Sequence, residues 1–475
     1  MAANGNARSS PDAQTGASNV ELREDIPLKR GVSTRSSHIS GCCEGGPRII
    51  PGAFAALTVC ITLALLAQIY LGDYELVPHG SVASSAAACS RAGTDALKAG
   101  GHALDAAAAA ALCLAVVAPH LTSLDASGSM LYWEYREART QQPVLFEWGG
   151  TGAPGAETDA RPPRLVTALA HLHARLGVLP WARILAPAIQ LASDGFPVSE
   201  GLASMPAETR PVNYNATAPE LARYLTSLLL NSSAELSNAW NSSSLVRQSS
   251  PVRVLAGNWR VLAGGAGAEA ALSAMQAALE PPPATPEEAQ LRVVSALQRQ
   301  ALAATAGTAE VASGEGGNGV ATGLAAVDAR DTYVALVTGT STPFGSGPDT
   351  AAGWRRDEPA AMPDVAPAVL LDAHVCGSRY VLGAESPAAL AQAGAALAAS
   401  DVTSAVERAR VAVLAEGALA LEAAREPLAL LPPALPPLPA RNATLPYAAV
   451  NLVLQRGDAL TSHADSRGGG LASRF

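Results

Sequence analysis

Few residues in this chain combine a reactive type with a usable spacing. Gly314, Gly316 and Gly319 match G-x-G-x-x-G. That pattern cradles a pyrophosphate when a strand precedes it and a helix follows. Here a strand-like run follows, so the stretch reads as a flexible glycine loop. His171 and His173 stand two apart in a helical pattern, where side chains point to different faces and do not share a metal. They read as ordinary helix residues. No G-x-S-x-G, H-E-x-x-H or phosphate loop occurs, and no cluster of Cys, His and carboxylates has zinc spacing. Asn215, Asn231, Asn241 and Asn442 each open an Asn-x-Ser/Thr triplet, the acceptor for N-linked sugar. Cys42 and Cys43 lie just before an apolar run, where palmitoylation and unmodified thiols are both open readings.

The composition says what kind of scaffold must position any site. Of 475 residues, 49% are apolar and 15% charged, enough to bury a large core and too apolar for a mostly disordered chain. Aromatics are only 4%, so that core relies on close backbone approach rather than large rings. With 32 basic against 41 acidic residues the net charge is −9, which leaves no electrostatic footprint for nucleic acid. Six cysteines are too few for a disulfide scaffold.

Residues 1–48 are polar and rich in Ser, Gly and Asn, and read as a disordered tail. From Ile49 to Leu71 no charge occurs, a length that spans a hydrocarbon core as a helix. Lys29, Arg30, Arg35 and Arg48 precede this run, and Asp73 and Glu75 follow it. Lys/Arg excess marks the cytoplasmic side. The expectation is a single-pass type II protein, in the plasma membrane or secretory pathway, with the lipid bilayer around 49–71 and residues 72–475 outside. Every Asn-x-Ser/Thr triplet lies beyond the helix, in agreement.

Within 72–475, helices are expected near 86–99, 103–118, 164–177, 181–194, 268–280, 286–305, 387–399 and 401–420. Strands are expected near 81–85, 129–135, 143–148, 252–263, 323–328, 332–339, 367–371, 379–383 and 447–455. The polar stretch 204–250 reads as a surface excursion and Pro432–Pro439 as a linker. The order lacks regular βαβ alternation and suggests antiparallel sheets layered between helices, an α/β ectodomain.

Several blocks carry a resemblance further. SSAAACSRAGTDALKAGGHALDAAAAAALCLAVVAPH at 84–120 and LPWARILAPAIQLASDGFPVSEGLA at 179–203 resemble the γ-glutamyltransferases, also called glutathione hydrolases. GLAAVDARDTYVALVTGTSTPFGSG at 323–347, DVTSAVERARV at 401–411 and HADSRGGG at 463–470 follow in the family's order. The tail–helix–ectodomain plan and PFGSG look closest to the type 6 and type 7 branches, and the length favours type 6. The resemblance implies an N-terminal-nucleophile hydrolase fold, an αββα four-layer sandwich that cuts its own chain. The cut would give a large part of about 72–321 and a small part of 322–475, a heterodimer of subunits. The exposed Thr would attack while its free α-amine acts as base. The implied reaction moves γ-glutamyl groups from glutathione to acceptors or water, with no cofactor and no metal.

Matched residue by residue, the family's machinery departs. The nucleophile position falls on Ala321, and Thr322 is the nearby hydroxyl. A one-residue slip turns a strand side chain to the other face, so Thr322 serves only if the preceding loop absorbs the shift. The Arg that holds the substrate carboxylate falls on Gly150, and the Asn of the glutamyl pocket on Ser341. The serine pair falls on Pro363–Asp364 and the twin glycine of the oxyanion hole on Ser386–Pro387. The acidic stretch that binds the substrate amine has no counterpart in GWRRDEP, and the glycine-rich loop after the first helices has become LTSLDASGSM. Three outcomes are open: weak or lost family turnover, an active enzyme using Thr322, and a non-catalytic interaction module at the cell surface. The family also carries a cysteine pair with the spacing of Cys89 and Cys113, which a hairpin of the first two helices would bring side by side. Cys376 is expected to be buried and unpaired.

Overall fold

The computed structural model describes residues 46–71, 79–136, 142–149, 161–206, 217–305, 319–357, 365–373, 377–413, 417–422, 437–438 and 447–475. The chain divides into two compact units, Met1–Tyr74 and Glu75–Phe475. The first contains helix α1 (Gly46–Leu71). Its segment Ile50–Ala67 has a mean hydropathy of 2.2 and is wholly unburied, so it is long and apolar enough to cross a membrane. The Thr58 and Thr62 hydroxyls bond back to the carbonyls of Phe54 and Thr58, which satisfies two polar groups on an apolar helix. The helix starts before the apolar run because Pro47 is tolerated in a first turn.

The second unit is built on two antiparallel sheets. In spatial order the first has β16 (Ser473–Arg474), β1 (Ser81–Ser84), β7 (Val320–Val327), β8 (Thr332–Thr340), β2 (Ser127–Glu134), β3 (Val144–Trp148) and β4 (Val246–Ser249). The second has β15 (Ala459–His463), β14 (Val450–Arg456), β10 (Arg379–Ala384), β9 (Ala366–Asp372), β6 (Trp259–Ala263) and β5 (Val252–Ala256). A small third sheet joins β11 (Val411–Val413), β12 (Leu419–Glu422) and β13 (Pro437–Leu438).

The central strands β7 and β8 are buried at every position, so they read as continuous apolar runs rather than as alternation. Their alternate residues serve two cores. Ala325, Val327, Tyr333 and Ala335 pack with Val369, Val381 and Val453 of the second sheet. Leu324, Ala326, Val334 and Leu336 join the helix-side core. That core takes in α2 (Ala87–Lys98), the wholly buried α3 (Ala103–Val117), α4 (Arg164–Leu176), α5 (Trp181–Asp194), α6 (Glu200–Ser204), α7 (Pro219–Ser227) and α8 (Ser233–Ala239). The second sheet packs α9 (Ala268–Leu279), α10 (Pro286–Thr305), α11 (Pro387–Leu397) and α12 (Val402–Glu407) into another core. Where β7 crosses β10, a Cβ on Gly323 would overlap the Gly383 backbone and one on Gly383 would overlap the Leu324 backbone, so only glycine fits at both positions.

Four expectations need correction. The stretch 204–250 is not merely a surface excursion: Leu221, Leu225 and Leu236 enter the core, and β4 extends the first sheet. The helix expected over 401–420 stops at Glu407, and Val411–Val413 pairs with Leu419–Leu421. β-branched valines and Gly417 (φ +76°) favour that hairpin over a continued helix. The run 252–263 is two strands around Gly257–Asn258. Pro437–Leu438 forms a strand parallel to β12, so part of the expected linker is ordered.

Candidate active site

Thr322 lies on β7 opposite Thr338 of β8 and is fully buried. Its Oγ1 donates to Ser85 Oγ at 3.0 Å, and Ser85 Oγ in turn donates to Glu385 Oε1 at 3.1 Å. Ser85 follows directly on β1 and Glu385 directly on β10. Asn451 of β14 fixes the junction. Its Nδ2 donates to Ser85 Oγ at 2.9 Å and to the Gly323 carbonyl at 2.8 Å, and its Oδ1 accepts the Asp465 N–H at 3.1 Å. Glu385 Oε2 accepts the Ala449 N–H at 2.8 Å. Behind this, Asp465 accepts the Val450 N–H and pairs with Arg467 at 2.9 Å, and Arg467 also pairs with Glu422 at 2.6 Å. Desolvation pushes the Glu385 carboxyl up to about 7, with the Asp465 charge adding to it. The result is a one-way row of hydroxyl hydrogen bonds ending on a carboxylate that titrates near neutrality.

Ala321, the neighbouring residue, takes the face turned to the second sheet and packs on Val337 and Val365. Its methyl has no hydrogen-bonding capacity. Ser341 belongs to a different cluster. Its Oγ donates to Asp357 Oδ1 at 2.5 Å, and its N–H reaches Asp357 at 3.0 Å. Ser346 adds two longer donors to Asp357 at 3.3 Å. Asp357 N–H donates to Asp125 Oδ2, and Asp125 is gripped by Arg161 at 2.6 and 2.8 Å and by Arg164. The Arg164 side chain bridges to the Asp357 carbonyl at 2.6 Å. The acid of GWRRDEP therefore holds the loop that carries PFGSG, where Phe344 is buried at φ +70°.

Ser386 caps α11, its Oγ accepting the Ala389 N–H at 3.1 Å, and Pro387 occupies the first helical position without an N–H. Gly150, Pro363, Asp364, Gly314, Gly316, Cys42, Cys43, Cys376, Asn215 and Asn442 lie outside the described residues. Asn231 and Asn241 are exposed. Cys89 and Cys113 form a disulfide with Cα atoms 5.3 Å apart, joining α2 to α3. His171, partly exposed, reaches Ser237 of α8 at 3.1 Å, whereas the buried His173 lies between Ser233 of α8 at 2.8 Å and Asp105 of α3 at 3.1 Å. Among the described residues no group of three or more His, Cys, Asp or Glu could hold a metal. A cavity of about 20 Å³, room for one water, is lined by Ala115, Ser123, Leu124, Leu221, Phe344 and Trp354 among others, none of them in the Thr322 cluster.

Sequence reasoning singled out Thr322, Ser341 and Ser386, of which only Thr322 lies in this cluster, and it paired Cys89 with Cys113 as the structure does. It missed Ser85, Glu385 and Asn451. Glu385 did leave a signal, as a single acid ending the apolar run YVLGAE just before a helix-opening Ser-Pro.

A profile of the Gamma-glutamyltranspeptidase family matches residues 89–228. Over that stretch the chain is similar to the γ-glutamyltranspeptidases. Glutathione hydrolase 7 of Homo sapiens is 34% identical over 212 residues, which cover 42% of this chain and 31% of that protein. Glutathione hydrolase 6 of Rattus norvegicus is 42% identical over 130 residues, which cover 26% of this chain and 24% of the relative. These are the two branches the sequence resembles. The matched stretch thus spans under a third of these relatives' own length. In fold, the cephalosporin acylase of Bacillus halodurans is similar over 84% of this chain and 96% of its own, with a TM-score of 0.61 and 17% identity.

Proposed function

We propose that this γ-glutamyltranspeptidase relative is a membrane-anchored glycoprotein that keeps the αββα scaffold of γ-glutamyl transfer but turns over glutathione and γ-glutamyl compounds weakly or not at all. The observation that carries this is on β7. The position matched to the nucleophile is Ala321, packed between the sheets, while the adjacent hydroxyl of Thr322 is fully buried and committed to Ser85. Pro387 withholds an N–H where the oxyanion donors are matched, and Ser341 donates to Asp357 rather than standing open. Losing one oxyanion donor costs about 100- to 1000-fold in rate. The anchored topology follows from the apolar helix and the basic residues before it. A second reading, an enzyme using Thr322 after self-cleavage, is favoured by the Thr322–Ser85–Glu385 row. Glutamate release from glutathione by the full chain in detergent micelles tests the proposal. Release near background supports it. Robust release that vanishes in Thr322→Ala refutes it in favour of the second reading.

A further inference from the structure

The acids around β7 differ in one respect. Asp465 and Glu422 face Arg467, while Asp125 and Asp357 face Arg164. Glu385 has no ion pair among the described residues; its carboxyl is hydrogen-bonded by Ser85, by the Ala449 N–H and by the Thr322 hydroxyl itself. A buried carboxylate without a cation is a proton acceptor rather than a structural anchor. It also terminates a row in which every donor points the same way, from Thr322 Oγ1 to Ser85 Oγ to Glu385 Oε1.

We infer that Ser85 and Glu385 form the path by which the Thr322 hydroxyl proton leaves when Thr322 attacks the Ala321 carbonyl carbon and cuts the chain between them. This rests on the self-cleavage step of the second reading above, not on its turnover, and it names the base for the cut. The α-nitrogen of Thr322 is still a peptide nitrogen at that stage and cannot act as base. As the Oγ1–C bond forms, the Thr322 proton passes to Ser85 and the Ser85 proton to Glu385, leaving a neutral acid. As the C–N bond breaks, Ser85 gives its hydroxyl proton to the Thr322 nitrogen and recovers one from Glu385, leaving the Glu385 carboxylate and an ester of Ala321 on Thr322 Oγ1. Water then hydrolyses the ester, leaving a carboxylate on Ala321 and a free amine and hydroxyl on Thr322.

The arrangement suits an internal reaction. The electrophile belongs to the preceding residue, so the step needs no substrate pocket and is compatible with a fully buried Thr322. A chain that cuts itself and then turns over poorly satisfies both this inference and the proposed weak turnover. The groups facing Glu385 are Ser85, Thr322, the Ala449 N–H and Asp465; Arg467, and Arg410 at 3.6 Å, lie on Asp465. Cleavage therefore slows as Glu385 takes up its proton, below about pH 7.

The test uses the full chain in detergent micelles. The fragment 322–475, beginning Thr-Gly-Leu-Ala, is followed on denaturing gels from pH 5 to 8. Folding of each variant is checked by circular dichroism and by retention of the Cys89–Cys113 bond. Expected are a cut wild type, an uncut Thr322→Ala, cutting slowed at least 100-fold in Ser85→Ala and Glu385→Gln, and partial recovery in Glu385→Asp. The wild-type rate should fall about tenfold per pH unit below 7. If Thr322→Ala stays whole while Ser85→Ala or Glu385→Gln cuts at the wild-type rate, the relay is wrong and Thr322 remains the nucleophile. A wild type that is never cut, or a Thr322→Ala that is, overturns both. A pH-independent wild-type rate overturns the relay without recourse to any variant.

Discussion

Asp125 shows what single side chains do in this molecule. It is fully buried and receives two guanidinium groups and two backbone N–H groups. Asp125→Asn keeps the shape but leaves the largely buried Arg161 without its partner charge and the buried Arg164 with Asp357 alone. Breaking a buried pair from one side costs about 3–5 kcal/mol. The urea midpoint should drop accordingly with an unchanged slope, and a midpoint within 0.5 kcal/mol-equivalent, the ordinary range for a surface change, would contradict this account. Glu385 makes the opposite contribution. Its carboxyl titrates near 7 when folded and near the ordinary carboxylate value of about 4.3 when unfolded, so the folded state binds the extra proton between these values. Its stabilising contribution is full below about pH 4 and is lost as pH rises through 7. Glu385→Gln should therefore gain on wild type between pH 5 and pH 8, by on the order of 1–3 kcal/mol in urea unfolding. A constant difference would show that the carboxyl is not raised. Thr322 was legible in the sequence because it sits beside a recognisable block. Ser85, Glu385 and Asn451 were not, because they come from three well-separated stretches of chain and meet Thr322 only where β1, β7, β10 and β14 lie side by side.

At the scale of elements, the α2–α3 hairpin follows most directly from the chain. Gly100 at φ +88° makes the turn, Asp105 accepts the His102 N–H at the start of α3, and the disulfide closes the pair. A closed loop of this length is worth about 3–4 kcal/mol in the chain-entropy model. Cys89→Ser should lower unfolding stability by that amount, and peptide mapping without reduction should recover Cys89 and Cys113 linked in wild type. Two free thiols would remove the basis for the loop. Period and punctuation located α5 and α9 to within about a residue because both have apolar stripes and sharp ends. They failed at 401–420, where Ala and Glu suggest helix but pairing of Val411–Val413 with Leu419–Leu421 decides for strand. They failed again at 204–250, where Asn and Ser hide the leucines that enter the core.

At the scale of the whole molecule, the mixture of helices and antiparallel strands without βαβ alternation was legible, but the strand order was not. β16 comes last in the chain yet pairs with β1, a contact that no local pattern announces. The proposed topology predicts that protein made in mammalian cells carries sugar on Asn231 or Asn241, both exposed, or on another of the triplets. Endoglycosidase should shift the gel band, and protease added to intact cells or sealed vesicles should separate the two sides of α1 as the basic flank dictates. No shift together with a protected 79–475 would place that part on the cytoplasmic side. The central claim concerns turnover. The most direct measurement is kcat/KM for a γ-glutamyl anilide with the full chain in micelles, beside an active glutathione hydrolase assayed identically. The account predicts a value at least 100-fold lower, because Pro387 has no N–H where the resemblance matches an oxyanion donor, and Thr322, beside the matched Ala321, is fully buried and bonded to Ser85. A value within tenfold of the active enzyme would contradict it.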